Sequence, residues 1–348
     1  MAVAQVILKT NPHRPVDFKE SSVLKVLRDS GNLNVEVKED GCQLNMLVEY
    51  SKGHGSAVTF LSREGKEFNG LMHLGDKLCN DPRWDKFFNP HVDAGLFREE
   101  GGFLLQAEIL IDGKVCAEIA GDLRRMEPID LTKVEIVVFD LIPLSAVLAE
   151  GDYEVFQEVR RGHAKVQVEA LKARFPEVHW RLVQSSQAFN LLNLFAIYEH
   201  HRKNKKEGCV AKDPLGYWKR GKKTGQFKLK PNDNCDGTVT GLMWGTPGLS
   251  NEGKVIGFTV LTEHGVEVEA GGITEAQKEE FTAKVTYAYR EKVGSTAWSC
   301  AMEAIRDGVN PYEGWAVQIS YMERLPSGSY RHPSFSHFRG ITDPLIKE

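Results

Sequence analysis

The first apolar stripe lies in residues 17–30 (DFKESSVLKVLRDS), where Val23, Leu24, Val26 and Leu27 share a helical face and Gly31 stops the run. LNVEVKEDG then alternates apolar and polar positions into a glycine turn, which predicts a half-buried strand and a loop. SAVTFLSREG predicts a second strand ending in a turn, and residues 75–103, rich in Gly, Asn, Pro and Asp, read as a long surface excursion. GFLLQAEILIDG and KVEIVVFDLIPL predict two further strands, the second so continuously apolar that it should be central in its sheet. Helices are expected over about 153–175 and 186–204, with CVAKDP and QFKLKP as short strands on either side of a loop.

Past Pro231 the pattern shortens. PNDNCDG is polar and turn-rich and predicts a domain boundary. GTVTGLMWG, KVIGFTVL, GVEVEAG, WAVQISYMERL and SHFRG are short strand candidates around one helix at 274–292, a set that fits a small Greek-key barrel of the OB type. The expected fold class is therefore α+β: antiparallel sheets with helices over residues 1–233, then an OB-fold barrel over 234–348.

Composition changes this picture little. At 348 residues, 41% hydrophobic and 26% charged, the chain is an ordinary globular one with room for two domains. No apolar run reaches the roughly 18 residues of a membrane span, and the N-terminus lacks the pattern of a signal peptide. Six scattered cysteines, without CxxC spacing, are expected to be reduced thiols in a cytoplasmic protein.

Charge changes it more. The net charge is −4, yet Arg202 to Lys230 holds eleven Lys or Arg against Glu207 and Asp213, a local +9 that leaves −13 elsewhere. A basic stripe on an acidic body suits a groove that grips phosphates. Tyr217, Trp218 and Phe227 lie among those cations, as base-stacking platforms do, although a solvated face is the commoner meaning of a charge run.

The sharpest chemical feature is Lys38-Glu39-Asp40-Gly41 after a strand. A lysine nucleophile works through its neutral amine, so neighbouring cations or a metal must ease its deprotonation. Lys228 and Lys230, two apart on a strand, share a face and supply such cations. The glycine is expected to let the chain turn sharply, aiming the amine at a pocket. Alone, this tetrapeptide reads more readily as an exposed strand-end lysine before a turn. A near P-loop at Gly216–Lys223 fails, because Lys223 stands where Ser or Thr is needed and a strand follows instead of a helix. His200 and His201, at a helix end beside cations, read as a solvated face.

Further motifs occur in order. Glu36-Val37-Lys38-Glu39-Asp40-Gly41, Ser62-Arg63-Glu64-Gly65, Glu108 within LLQAEILI, Val138-Phe139-Asp140-Leu141, Glu207-Gly208-Cys209-Val210-Ala211-Lys212 and Phe227-Lys228-Leu229-Lys230 together resemble the nucleotidyltransferase superfamily of ATP-dependent DNA ligases and capping enzymes. KTNP, RFPEVHW, GLMWGTPGLSNEGKVIGF, NPYEGWAVQISYME and RHPSF extend the resemblance over almost the whole chain, toward the small DNA ligases of short-tailed bacteriophages.

The resemblance implies that Lys38 takes AMP from ATP, passes it to the 5′-phosphate of a nick, and leaves the 3′-hydroxyl to seal it. It implies that Phe139 stacks on adenine, that Glu36 and Val37 border the base, and that Arg63 touches ribose or the nick phosphate. Lys212, Lys228, Lys230 and Arg339 would serve the phosphates, Glu207 and Glu108 would hold Mg2+, and Lys219, Arg220, Lys222 and Lys223 would contact the DNA backbone. A monomer acting on nicked double-stranded DNA without a separate N-terminal DNA-binding domain is expected, with an RNA ligase, a GTP-using capping enzyme or a non-catalytic nucleic-acid binder as rivals. The chain departs from the family at Gln43, where an arginine is usual, at Gln106-Ala107-Glu108, where DGE is common, and after Arg339, where no lysine follows at the usual spacing.

Overall fold

A computed structural model describes residues 6–51, 55–81, 101–149, 151–294, 301–325 and 328–339. The chain divides into two compact units, Met1–Leu229 and Lys230–Glu348, a boundary ahead of the one PNDNCDG suggests. That stretch is not a linker: it opens a long strand, Asp233–Trp244, whose first residue pairs with Tyr321 and accepts the Tyr321 hydroxyl at 3.2 Å.

The first unit contains two five-stranded sheets. Its strands are β1 (Arg14–Asp17), β2 (Leu33–Lys38), β3 (Cys42–Ser51), β4 (Gly55–Leu61), β5 (Gly102–Ile111), β6 (Val134–Pro143), β7 (His179–Leu182), β8 (Ser185–Ala188), β9 (Gly208–Lys212) and β10 (Lys222–Leu229). One sheet runs β4-β3-β5-β6-β7 and the other β1-β10-β9-β2-β8. Pairing is antiparallel except for β1 with β10 and β6 with β7. The helices are α1 (Glu20–Ser30), α2 (Met72–Cys79), α3 (Cys116–Arg124), α4 (Leu144–Leu148), α5 (Gln157–Arg174) and α6 (Leu191–Lys203).

Local sequence explains much of this. In α1, Val23 is buried while Leu24 is 45% exposed, so the stripe is narrower than the periodicity suggests, and Gly31 closes the helix at φ 80°. β5 is buried along almost its whole length because it is the middle strand, with β3 on one side and β6 on the other. The expected helix at 186–204 starts only at Leu191, because Ser185–Ala188 pairs with β2. β3 and α3 are additions to the sequence reading, and of the excursion at 75–103, α2 occupies the start while 82–100 lie outside the described residues.

A buried pair ties the sheets' supports together. Asp140 accepts both Nε (2.9 Å) and Nη2 (3.0 Å) of Arg160, whose Nη1 also reaches the Gly216 carbonyl at 3.2 Å. A bidentate fork of this kind fixes geometry as well as charge. It locks α5 against β6 and the segment following β9.

The second unit is a five-stranded antiparallel sheet, ordered β13 (Glu267–Ala270), β12 (Val255–Thr262), β11 (Asp233–Trp244), β14 (Ala316–Tyr321), β17 (Ser334–Phe338). A small hairpin, β15 (Glu323–Arg324) with β16 (Tyr330–Arg331), stands apart. The sheet's edges meet at one bridge, Gly271 with Ser334, where the Phe335 N–H donates to the Gly271 carbonyl at 2.8 Å. Phe258 centres the core, 5.1–5.3 Å from Phe281, Tyr312, Phe335 and Phe338. Helix α7 (Glu275–Val293) begins with a Thr274/Gln277 capping box and ends at Gly294 in the left-handed region. Among the described residues, no helix is long and apolar enough to cross a membrane.

Candidate active site

The two sheets of the first unit face a cleft of about 870 Å³. Lys38 is the last residue of β2 and pairs with Gly208, which sets its side chain beside Glu207. Lys38 Nζ and a Glu207 oxygen form an ion pair with Glu207 almost fully enclosed, while the lysine keeps about a quarter of its surface open to the cleft. Gly41 is required here for a different reason from the expected turn. Its φ is not in the left-handed region, but a Cβ there would lie 2.2 Å from the Ile109 carbonyl oxygen and 3.0 Å from Glu108 Cγ. The bare α-carbon lets the start of β3 press against β5, bringing Glu108 toward Lys38.

Burial pushes the Glu108 carboxyl up to about 7, with neighbouring Glu207 and Asp40 adding to the rise against the opposing pull of Lys38 and the Gly41 N–H. Two carboxylates flanking one amine in a desolvated corner create a demand for further positive charge. Among the described residues no group of three or more His, Cys, Asp or Glu side chains is arranged to hold a metal.

One wall is apolar. Val37, Val137 and Val183 pack with half-buried Phe139, and Lys212 Nζ lies 5.2 Å over that ring. Glu36 anchors the wall: one oxygen takes Lys212 Nζ at 2.6 Å, the other Arg161 at 3.0 Å and Gln157 at 3.4 Å. Its carboxylate is therefore already engaged at both oxygens. Opposite, Ser62–Gly65 forms a tight turn in which Gly65 sits at φ 80°, and a Cβ would collide with the Leu8 carbonyl oxygen at 1.6 Å. That turn carries Arg63 to the cleft, about half exposed and paired with Glu64 at 2.9 Å.

The basic segment is split by the fold. Lys222 and Lys228 line the cleft and share Asp17, at 3.2 and 3.1 Å. Lys230 directly follows Leu229, the last residue of β10, and is the first residue of the second unit. Lys219 and Lys223 also lie outside the lining, Lys223 exposed. Arg220 is committed elsewhere, its Nη2 donating to the carbonyls of Ala146 (2.8 Å) and Val147 (2.6 Å) at the end of α4. Trp218 and Phe227 are buried core residues and so are not the base platforms that their spacing suggests, while half-buried Tyr217 stacks on Phe156 at 5.7 Å. Arg339 belongs to the second unit, where its Nε donates to Asp236 at 2.9 Å.

Family models match end to end: an ATP dependent DNA ligase domain over residues 17–230 and a DNA ligase C-terminal domain over 231–339. The chain belongs to the ATP-dependent DNA ligases. It is 36% identical to the DNA ligase of Escherichia phage T7 over 97% of this chain and 98% of that protein. To the DNA ligase of Enterobacteria phage T3 it is 33% identical with the same coverage. The solved structure of the ATP-dependent DNA ligase from bacteriophage T7 in complex with ATP matches with a TM-score of 0.60 at 35% identity, covering 95% of this chain and 99% of that one.

Several residues of the ligase cleft escaped sequence reading. His13 lines it with Nε2 3.2 Å from the Lys223 carbonyl and Nδ1 3.2 Å from Gln226, and burial pushes its pKa down to about 4. Asp17 is masked in sequence as a helix-leading acid, and only the parallel pairing of β1 with β10 reveals it as the partner of Lys228. Buried Glu39 holds Arg181 at 3.1 Å and Lys206 at 3.0 Å, fixing the chain directly after Lys38. Arg124, at the end of α3, also lines the cleft.

Proposed function

We propose that Lys38 is the adenylated residue of this ligase and that the cleft is its ATP site. The observation that carries this reading is the convergence on one amine of Glu207, Glu108 and the Lys228 rim around a single cleft with an apolar, Phe139-lined wall. Adenine fits against Phe139 and Val37, a flat apolar slot with Lys212 above it. Lys228 and Lys222 face the triphosphate in place of Asp17. Lys38 Nζ attacks the α-phosphate, a P–N bond forms, the bond to the bridging oxygen breaks, and pyrophosphate leaves. Glu207, ion-paired with the ammonium, takes the proton whose loss frees the lone pair, and the second proton leaves to solvent as the P–N bond forms. Phosphoryl transfer asks mainly for positioning and charge neutralisation, which these groups supply.

Mg2+ belongs to the same reading. Magnesium is commonly held by one or two carboxylates plus substrate phosphates, and the Glu108/Glu207 pair, with one member's acidity suppressed by burial, fits that demand. When bound, the ion would neutralise phosphate charge. The DNA contacts fall to Arg63, Lys219 and Lys223 in this reading, while Arg220 serves the fold. Nicked duplex is the substrate, AMP moves from Lys38 to its 5′-phosphate, and the ligase acts as a monomer.

Intact-protein mass after incubation with ATP and magnesium tests the assignment. Wild type should gain one adenylate, which a chase with nicked duplex should remove. Lys38→Ala should gain none. Adenylate that persists in the variant overturns the assignment.

A further inference from the structure

Two cysteines meet in the wall of the cleft. Cys42 opens β3 directly after Gly41, and Cys116 opens α3; both line the cleft, and their sulfurs lie 3.8 Å apart. Cys42 Sγ also donates to the Cys116 carbonyl at 3.3 Å, so the two segments already touch through this pair. Neither residue has a part in the chemistry described above. We propose that Cys42 and Cys116 form a dithiol modification site that a hydroperoxide converts to a disulfide, closing the cleft to ATP. The effect on ATP rests on the reading of the cleft as the nucleotide site, whereas the disulfide itself does not.

The chemistry balances in two steps. A hydroperoxide oxidises one thiol to a sulfenic acid and is itself reduced to an alcohol, or to water from hydrogen peroxide. The second thiol then attacks the sulfenic sulfur, the S–S bond forms, and water leaves. Burial, followed by the neighbouring sulfur, pushes the Cys42 thiol up to about 12, so Cys42 is not the thiol that meets the oxidant first.

Closure follows from which side can move. A disulfide draws the sulfurs from 3.8 Å to about 2.05 Å. The Cys42 side has no slack, because Gly41 already sits where even a Cβ would meet the Ile109 carbonyl oxygen at 2.2 Å. In this proposal the first turn of α3 is the side that moves. Cys116, Ala120 and Arg124, spaced four apart on one face of that helix, all line the cleft. Pulling the helix start toward β3 carries this face inward, toward the space beside Lys38.

The test treats the full-length protein with hydrogen peroxide, then reads two quantities. Peptide mapping without reductant should give a Cys42–Cys116 cross-linked peptide, two hydrogens lighter than its parts. Adenylation from ATP should fall in proportion to the cross-linked fraction and return with dithiothreitol. Cys116→Ser and Cys42→Ser, each compared with its own untreated sample, should resist this loss. Absence of the cross-link, or a cross-link with undiminished adenylation, overturns the proposal. Should untreated protein take no adenylate, the ATP-site reading falls, and the cross-linked peptide alone then decides whether the dithiol site exists.

Discussion

Lys212 Nζ lies 2.6 Å from Glu36 Oε2, with both side chains almost wholly removed from solvent. The pair joins β9 to β2, two strands that meet beside Lys38, and Lys212 also sits over the Phe139 ring. Removing one member of a buried pair typically costs about 3–5 kcal/mol, because the survivor is left charged and unpaired. Here Glu36 keeps Arg161 and Gln157, so Lys212→Met is expected at the lower end of that range. The urea midpoint measures it, and KM for ATP should rise as well. A midpoint equal to wild type contradicts the account.

The Asp17 carboxylate spans Lys222 and Lys228 from a site two-thirds exposed. Burial acts to raise its pKa, but hydrogen bonds from Lys228 and Lys222 outweigh that and lower it. Exposed pairs of this kind stabilise by at most about 1 kcal/mol, so Asp17→Asn should leave the melting temperature nearly unchanged. It should, however, release both lysines for the triphosphate and lower KM for ATP. A raised KM would show instead that Asp17 positions Lys228 and does not compete with the nucleotide.

How much of this was legible in sequence follows from how local each signal was. The strand ending in Lys38, the turn at Gly65 and the two short strands framing the basic loop are written in contiguous residues, and the structure has all of them. The fate of the cations is not local. Arg220 and Lys222 are two residues apart, yet one closes the end of α4 and the other lines the cleft. Trp218 carries its indole N–H to Gln106, over a hundred positions away, at 3.1 Å. Periodicity cannot see such partners. The same holds for Gly41, whose requirement comes from β5 pressing against it and not from any turn.

Glu108 gives the ligase a signed pH dependence. Its folded pKa is raised from the ordinary 4.5 to about 7. Its contribution to stability is thus fully present below pH 4.5 and is lost as pH rises through about 7. That span corresponds to at most about 3 kcal/mol. Glu108→Gln should therefore gain stability relative to wild type between pH 5 and pH 8, roughly within this limit. Urea midpoints at the two pH values check it, and a difference that does not grow with pH removes the argument. Adenylation should fall in the same variant even where it folds better, since a neutral amide is a poor partner for magnesium.

His13 behaves in the opposite sense. Burial lowers its pKa from 6.5 to about 4, so the folded ligase holds it neutral, with Nε2 near the Lys223 carbonyl and Nδ1 near Gln226. The stability it contributes is present above pH 6.5 and is lost as pH falls through about 4. His13→Gln should reduce the acid sensitivity between those limits, by up to about 3 kcal/mol. It should cost stability at pH 7.5 through the lost contacts, which makes the two variants' curves cross on acidification. Parallel curves would mean that His13 is charged in the folded protein.

The basic loop divides its cations between the fold and the DNA contacts proposed above. Arg220→Ala leaves the Ala146, Val147 and Ala149 carbonyls at the end of α4 without their donor and loses the stacking of its guanidinium, 5.4 Å from the Trp218 ring. It is expected to lower the unfolding midpoint by about 1–3 kcal/mol, the cost of hydrogen bonds lost from partly buried groups. Lys223 is exposed, and if its side chain meets a phosphate of the duplex, Lys223→Ala should spare the midpoint and weaken DNA binding at all sequences alike. Each phosphate contact contributes about 0.9 to the slope of log K against log salt, so that slope should become shallower by roughly this amount. Titrating both variants against nicked duplex at several salt concentrations distinguishes them. An Arg220 variant that melts like wild type but shows the shallower slope would reverse the assignment and return that guanidinium to the DNA surface.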